Sequence, residues 1–426
     1  MMRNHTAALH PERAPLGNIV IVGAGHAGTQ LAASLREEGF LGPVTLISRE
    51  ADAPYHKPPL SKSFMKDSGA PLQPLKGERF FHDHGIELRL GADVTAIDRA
   101  ARQVILSDGT RLSYGRLVLA TGASARRLAI PGAGQGGVFH LRTAGDARAM
   151  RSALSGHGRV VVIGGGFIGL EAAAMLRARG HGVEVVELAP RLLGRAVSAT
   201  TAMAVADDLA RQGIVVRCRA GLDRLLGNGA VSGVRLEDGT ELPADMVVVG
   251  IGAAPEDGLA RQCGLACEGG IVTDALLATA DPFVFAIGDC AAFPQATLNA
   301  RTRVESVQNA TDQARALART LTGRPAAYDA VPWFWSDIGA LKLQIAGLAP
   351  GSDEDIPVLS ATGALRAVWR LAGGRLVAVE TLNDPGIHML ARRLLAAGIT
   401  PDRAAMAAGD KAALKSALDA VQGAPV

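Results

Sequence analysis

One pattern occurs twice in this chain. Residues 18–39 read NIVIVGAGHAGTQLAASLREEG, and residues 159–180 read RVVVIGGGFIGLEAAAMLRARG. Each copy is a run of aliphatic and β-branched residues, then G-x-G-x-x-G, then an apolar-periodic stretch closed by Gly. The first places Gly23, Gly25 and Gly28; the second places Gly164, Gly166 and Gly169, at a constant offset. A single such motif is weak, because turns use Gly freely. Two copies, each between a predicted strand and a predicted helix, point to two dinucleotide sites. Glycines let the backbone approach a pyrophosphate, and the following helix offers unpaired N–H groups to its charge.

The repeat extends beyond the motif. A second strand follows each copy, VTLIS at 44–48 and VEVVE at 183–187. Later come VILSDGTRLSYGRLVLATGA and GVRLEDGTELPADMVVVGIGAAP, each a hairpin signal and then a buried strand ending in small residues. The strand after the glycines should end in an acid that binds a ribose hydroxyl. Glu187 meets this in the second copy, 18 residues past Gly169, and a carboxylate there favours NADH over NADPH. Arg191 and Arg195 lie close by and oppose that preference. In the first copy the matching position is Ser48, followed by Arg49 and Glu50. Two dinucleotides in one chain suggest a flavoprotein that draws on a nicotinamide.

Bulk properties narrow the class. The chain has 426 residues, 48% apolar and 20% charged, which suffices for two or three globular domains. Net charge is only +3 and no basic run stands out, so nucleic acid is not an expected partner. No uncharged apolar stretch reaches 18 residues, and the N-terminus lacks the apolar core of a signal peptide. Cys218, Cys263, Cys267 and Cys290 form no C-x-x-C and leave the first half empty of thiols. Neither a disulfide scaffold nor a structural metal site is expected, and a reducing cytoplasm fits. Of 44 basic residues only seven are Lys, and four of these lie from Lys57 to Lys76, in a proline-containing stretch expected to be a long loop.

The chain divides into a lead-in and three domains. Residues 1–17 are expected to form a disordered lead-in, 18–125 and 254–330 two segments of one domain, and 126–253 an inserted domain. Residues 331–426, which hold all three tryptophans, form a third. The expected class is α/β, with two Rossmann-like dinucleotide-binding domains plus a C-terminal α+β domain. ESVQNATDQARALARTL reads as a helix, and LRAVWRLAGGRLVAVETL as two strands about a Gly-Gly turn.

Several stretches together resemble the FAD-dependent ferredoxin reductases of multi-component oxygenase systems. They are VIVGAGHAG, PYHKPPLSK, LATGAS, HLRT, GGGFIGLE, VVE, GDCA, ESVQNA and VPWFWSD. The resemblance implies a glutathione-reductase-like arrangement that binds FAD and NADH. It implies FAD contacts at Gly23, Gly25, His26, Ala27 and Gly28, at Arg49, Glu50, Lys57 and Lys62, and at Val94, Arg142, Asp289, Glu305, Val307 and Trp335. Nicotinamide-nucleotide contacts are implied at Gly164, Gly166, Ile168, Gly169, Glu187 and Gly252. Lys62 would lie beside the flavin N5 region and pair with Glu171, and Trp335 would pack by the isoalloxazine. From the residues alone, Lys62 reads equally as a surface lysine and Trp335 as an interface aromatic. Two positions depart from the family: Arg49 stands where an acid is usual, which passes the ribose contact to Glu50 or backbone, and Lys57 replaces an Arg.

The implied partner is an acidic iron–sulfur ferredoxin, [2Fe–2S] in type, met by a monomer or weak homodimer. Lys342, Arg392 and Arg393 are candidate steering groups by position, with a solvated charged face as the bland alternative. Two rival readings are an NADH-binding redox sensor like apoptosis-inducing factor and an NADH oxidase. With no cysteine before Cys218, electrons are expected to leave the flavin without passing through a disulfide.

Overall fold

The computed structural model describes residues 16–422 except Ser68, Ser155, Ala296 and Thr297. Most of the expected lead-in lies outside these residues, and Leu16 already packs on the first core.

Runs such as IVIV and VTLI are apolar at every position or nearly so, which suits strands covered on both faces. They form a five-stranded parallel sheet in the order Val284–Ala286, Arg116–Leu119, Ile19–Val22, Val44–Ile47, Ile86–Arg89. The glycine-ended strand sits in the middle. A second parallel sheet repeats this plan in the order Val215–Arg217, Gly182–Val186, Arg159–Ile163, Met246–Val249, Val138–Phe139. Each sheet carries a three-stranded antiparallel meander inserted before its next strand, at Val94–Ser113 and at Leu222–Pro243. The strand Val284–Ala286 closes the first sheet after the second has been completed, so the second unit is an insertion in the first.

Beyond residue 331 the chain forms five antiparallel strands in the order Trp333–Ile338, Leu341–Gly347, Arg375–Leu382, Leu365–Ala372, Glu354–Leu359. Helices Pro385–Ala396, Arg403–Ala408 and Lys411–Gln422 bury one face through Val358, Trp369, Val379, Leu394, Leu414 and Leu418. No helix among the described residues is long and apolar enough to cross a membrane.

The stretch around PPLSK is not the plain loop expected. Pro58–Ser61 make a 3-10 turn and Ser63–Lys66 a single α-turn. The two prolines stand at the first positions of the turn, where no N–H donor is required. They therefore start a helical turn rather than forbid one.

Two buried polar groups shape the C-terminal unit. Glu380 is 1% exposed and reaches across to the inserted unit. Its carboxylate accepts from Ser198 N (2.8 Å) and Ser198 Oγ (2.7 Å), and pairs with Arg370 at 3.2 Å. Ser198 is the N-cap of helix Ala199–Arg211, so the acid also faces the positive end of a helix dipole. His388 lies against Trp333, and neither ring nitrogen has a hydrogen-bond partner among the described residues. Burial, aided by Arg392, pushes its pKa down to about 4.

Glu380→Ala strands the Ser198 amide and part of Arg370, and is expected to cost about 3 kcal/mol. Chemical denaturation measures this, and a loss below about 0.5 kcal/mol would show that surface substitutions do as much. For His388 the folded pKa lies below the unfolded value near 6.5, so between these values the native state binds fewer protons. The stability tied to a neutral ring is complete above that window and is lost as pH falls toward 4. His388→Gln cannot titrate there, so its melting temperature will fall less steeply with acid than that of the wild type. Equal slopes would refute the assignment.

Candidate functional site

Both parallel sheets end their central strand in the same backbone geometry. Gly23 has φ +110° and Gly164 φ +105°, and a Cβ at either would collide with the carbonyl oxygen of the neighbouring strand, Ala120 or Gly250. Gly28 and Gly169 are packed as tightly against the carbonyls of Gly23 and Gly164. The middle glycines differ. A Cβ on Gly25 would meet nothing within 4 Å, and one on Gly166 only Gly250 O at 3.9 Å. Helices His26–Glu37 and Phe167–Ala178 begin directly after them, and neither N-cap supplies a side-chain hydrogen bond. Each motif thus presents a bare backbone shelf and free helix N–H groups, the donor set a diphosphate fits.

Around the first shelf the side chains are interlocked. Arg142 donates to Asp289 Oδ2 and to Ala123 O, both at 2.8 Å. A capping box, Thr143 with Asp146, starts the helix Ala144–Ala153 and so fixes Arg142 just ahead of it. Burial pushes the Asp289 carboxyl up, and Arg142 opposes the shift. His26 opens the first helix with its ring edge-on to His56 at 5.4 Å. Its Nε2 is buried and has no partner among the described residues. Burial first, then His56, Lys57 and Arg142, lower its pKa to about 4, so the ring is neutral near pH 7. An unpartnered ring nitrogen of a neutral imidazole beside a backbone shelf is free to hydrogen-bond an incoming ligand.

Glu50 is committed within the protein. It accepts from Tyr55 OH (2.5 Å) and Lys57 Nζ (3.1 Å), while Tyr55 OH in turn accepts from Ala144 N. Arg49 is exposed and points to Glu256 at 4.0 Å. Val94 is buried at the start of its strand, Val307 opens the helix Val307–Leu321, and Glu305 pairs with Arg303. Ala27, in the first turn of the helix His26–Glu37, packs against Gly288, where a Cβ would meet Ala27 Cβ at 3.0 Å.

Lys62 and Glu171 are brought together, and more groups join them than the sequence indicates. Lys62 Nζ lies 3.2 Å from Glu171 Oε1 and 3.1 Å from Asp337 Oδ2. Glu171 is 6% exposed, and it also accepts from Ser61 Oγ (2.5 Å), Ser336 Oγ (2.7 Å) and Asp337 N (3.2 Å). Ser61, Ser336 and Asp337 lie inside PPLSK and FWSD but carry no signal of their own. Phe167, one turn before Glu171, meets Phe334 at 4.5 Å, which fixes the helix against the strand Trp333–Ile338. On that strand Trp335 stands beside Trp333, ring centroids 5.5 Å apart.

At the second shelf Glu187 ends the strand Gly182–Val186 and turns back. Its oxygens accept from Gly165 N (2.6 Å) and Ala189 N (2.7 Å). Arg191 is turned away onto the carbonyls of Gly194, Val197 and Ser198, whereas Arg195 is exposed. Ile168, in the helix of the motif, and Leu188, next to the acid, leave apolar side chains 46% and 73% exposed at this shelf. Gly252 takes φ +93° after the strand Met246–Val249. Arg392 stacks on Trp333 at 4.3 Å, while Lys342 and Arg393 are exposed.

All four cysteines are free thiols, and burial raises the pKa of each. Arg99 beside Cys263 and Arg261 beside Cys267 oppose that shift without reversing it, so none is activated as a thiolate. No group of His, Cys, Asp and Glu among the described residues could hold a metal ion.

Comparison with known proteins agrees with this geometry. Residues 17–314 match the family model described as pyridine nucleotide-disulphide oxidoreductase, and residues 333–418 match one described as reductase C-terminal. Rhodocoxin reductase of Rhodococcus erythropolis is 43% identical over 91% of this chain and 92% of its own. Putidaredoxin reductase of Pseudomonas putida is 40% identical over 86% and 89%. The ferredoxin reductase of the CYP199A2 system from Rhodopseudomonas palustris superposes with a TM-score of 0.91 at 42% identity, covering 94% of this chain and 99% of that one. The putidaredoxin reductase of a covalent complex with putidaredoxin gives 0.91 at 35%, over 96% and 99%. With two dinucleotide shelves, a shared lysine–carboxylate junction and these likenesses, the chain belongs to the pyridine nucleotide-disulphide oxidoreductase family.

Proposed function

We propose that this chain is an NADH-dependent FAD flavoprotein that reduces a small iron–sulfur ferredoxin serving an oxygenase. The observation that carries the reading is Lys62 held on buried Glu171, where the Pro58–Ser61 turn, the helix of the second shelf and the C-terminal sheet meet. Rhodocoxin reductase and putidaredoxin reductase are by name reductases of redoxins, which supports the same acceptor class. We assign residues 18–125 and 254–330 to the FAD unit, 126–253 to the nicotinamide unit and 331–426 to a cover over their junction. FAD, when bound, supplies the exchange between a two-electron hydride and single electrons.

The roles of this chain's residues follow from their settings. The amides around Gly25 and Gly166 hold the two diphosphates. Arg142 and Asp289 form a half-buried pair beside the first diphosphate, and neutral His26 offers an unpartnered ring nitrogen there. Glu171 keeps the Lys62 ammonium fixed, so a positive charge is already in place where negative charge develops. Glu187, held by two amides, offers its carboxylate to a ribose diol, and Arg191 is too committed to carbonyls to welcome a 2′-phosphate. Four buried or half-buried, unactivated thiols supply no internal electron acceptor, so electrons pass outward. A [2Fe–2S] cluster suits a one-electron acceptor, and exposed Lys342 and Arg393 would steer an acidic partner. Free thiols also suit a reducing compartment, and we place the protein in the cytoplasm, as a monomer or weak homodimer.

The test is reduction of cytochrome c with NADH or NADPH, with and without candidate ferredoxins. Acceleration by a ferredoxin with NADH is expected. Equal rates without one would refute the function, and rapid NADH consumption with oxygen alone would favour an oxidase. A second measurement addresses cofactor choice. Glu187→Ala is expected to lower kcat/KM for NADH by roughly tenfold, about 1.4 kcal/mol, and to narrow the gap to NADPH. An unchanged preference would show that the Glu187 carboxylate does not select the nucleotide.

A further inference from the structure

Lys62 has two carboxylate partners of different kinds. Glu171 is buried and saturated: both serine hydroxyls and the Asp337 amide bond it in addition to Lys62. Asp337 is 36% exposed, and among the described residues its carboxylate has Lys62 as its one ion-pair partner, at 3.1 Å. A carboxylate already served by three other donors does not need the ammonium to hold its position. An exposed carboxylate with a single partner depends on it. The ammonium stands 3.2 Å from one acid and 3.1 Å from the other. It is therefore shared between a fixed anion and an adjustable one.

We infer that Asp337 is a positioning residue: it draws the Lys62 ammonium to a point midway between the two acids and so sets how much positive charge the flavin feels. This rests on the proposed placement of FAD beside Lys62. An ammonium that is shared with Asp337 offers less of its positive charge to a flavin that gains negative charge on reduction. Asp337 therefore keeps the bound flavin a stronger reductant than the Lys62–Glu171 pair alone would, which suits delivery of electrons to an outside acceptor. The residue belongs to the strand Trp333–Ile338 and the lysine to the first unit, so a shift of that strand would change where the ammonium is held.

Asp337→Asn keeps the side-chain shape and the backbone N–H donated to Glu171, and removes only the charge. In the FAD-loaded protein, the flavin midpoint potential of Asp337→Asn is expected to shift to more positive values. Asp337→Glu is expected to restore most of the wild-type value. Because the effect passes through the lysine, Asp337→Asn introduced into Lys62→Met should shift the potential by less than half as much. An unchanged potential in the single variant, or equal shifts in both backgrounds, would overturn the inference. Failure of the cofactor reading is separately visible: wild-type protein loaded with FAD would show no bleaching of the flavin with NADH, whatever stands at 337.

Discussion

The structure turns on one buried carboxylate. Glu171 lies in a helix, almost without solvent, and an isolated anion there would be strongly unfavourable. Its cost is met by donors from two other parts of the chain: Ser61 and Lys62 on one side, Ser336 and Asp337 on the other. Ser61 lies 110 residues from Glu171 in sequence and Ser336 lies 165. Each must be correctly placed for the acid to be satisfied, so the acid penalises misplacement of any one. The three units consequently share a single polar reference point, with Phe167 on Phe334 as its apolar companion. Glu380 on Ser198 provides a second fixed point between the same helix-bearing unit and the C-terminal sheet.

The two shelves share a backbone and differ in everything attached to it. Around Gly25 the polar side chains hold one another in place: Arg142 and Asp289, Lys57 and Tyr55 on Glu50, with His26 edge-on to His56. A ligand entering that setting meets groups already fixed and an unpartnered His26 Nε2, which favours long residence. Around Gly166 the rim is open, with Leu188 and Ile168 exposed and Glu187 held by two amides. Such a site can exchange its ligand at little cost in rearrangement. In the proposed assignment one glycine pattern serves a held cofactor and a visiting one, and the distinction lies in the side chains that surround it.

Residues whose role is enforced locally are readable in the sequence. Gly23, Gly28, Gly164 and Gly169 declare themselves because a Cβ would strike nearby backbone, and the strands because almost every position is apolar. Glu187 is readable for a similar reason, since it closes the strand next to its own shelf. Ser61, Ser336 and Asp337 are not, because a hydroxyl in a turn or a carboxylate in a strand has many uses and its partner is set by tertiary packing. The helical turn at Pro58–Ser61 is hidden because proline breaks a helix interior yet suits a first turn, and the sequence does not distinguish the two settings. The ribose contact implied for Glu50 faces competition that spacing alone does not reveal, since Tyr55 and Lys57 both bind that carboxylate.

The cysteines bear on where electrons go. The family name includes a disulphide, yet in this chain the thiols at 218, 263, 267 and 290 are free, and burial raises the pKa of each. A thiol exchanges electrons readily only as a thiolate, and burial in apolar surroundings opposes that form. Cys290 follows Asp289 directly, but it is fully enclosed and its sulfur contacts the carbonyls of Leu119 and Ile287. It fills space in the core rather than facing a cofactor. A chain with two such shelves but no disulfide and no activated thiol pair offers no internal acceptor, and what remains at the junction is charge. Lys62 and its two acids then become the means by which the protein can tune a bound redox group.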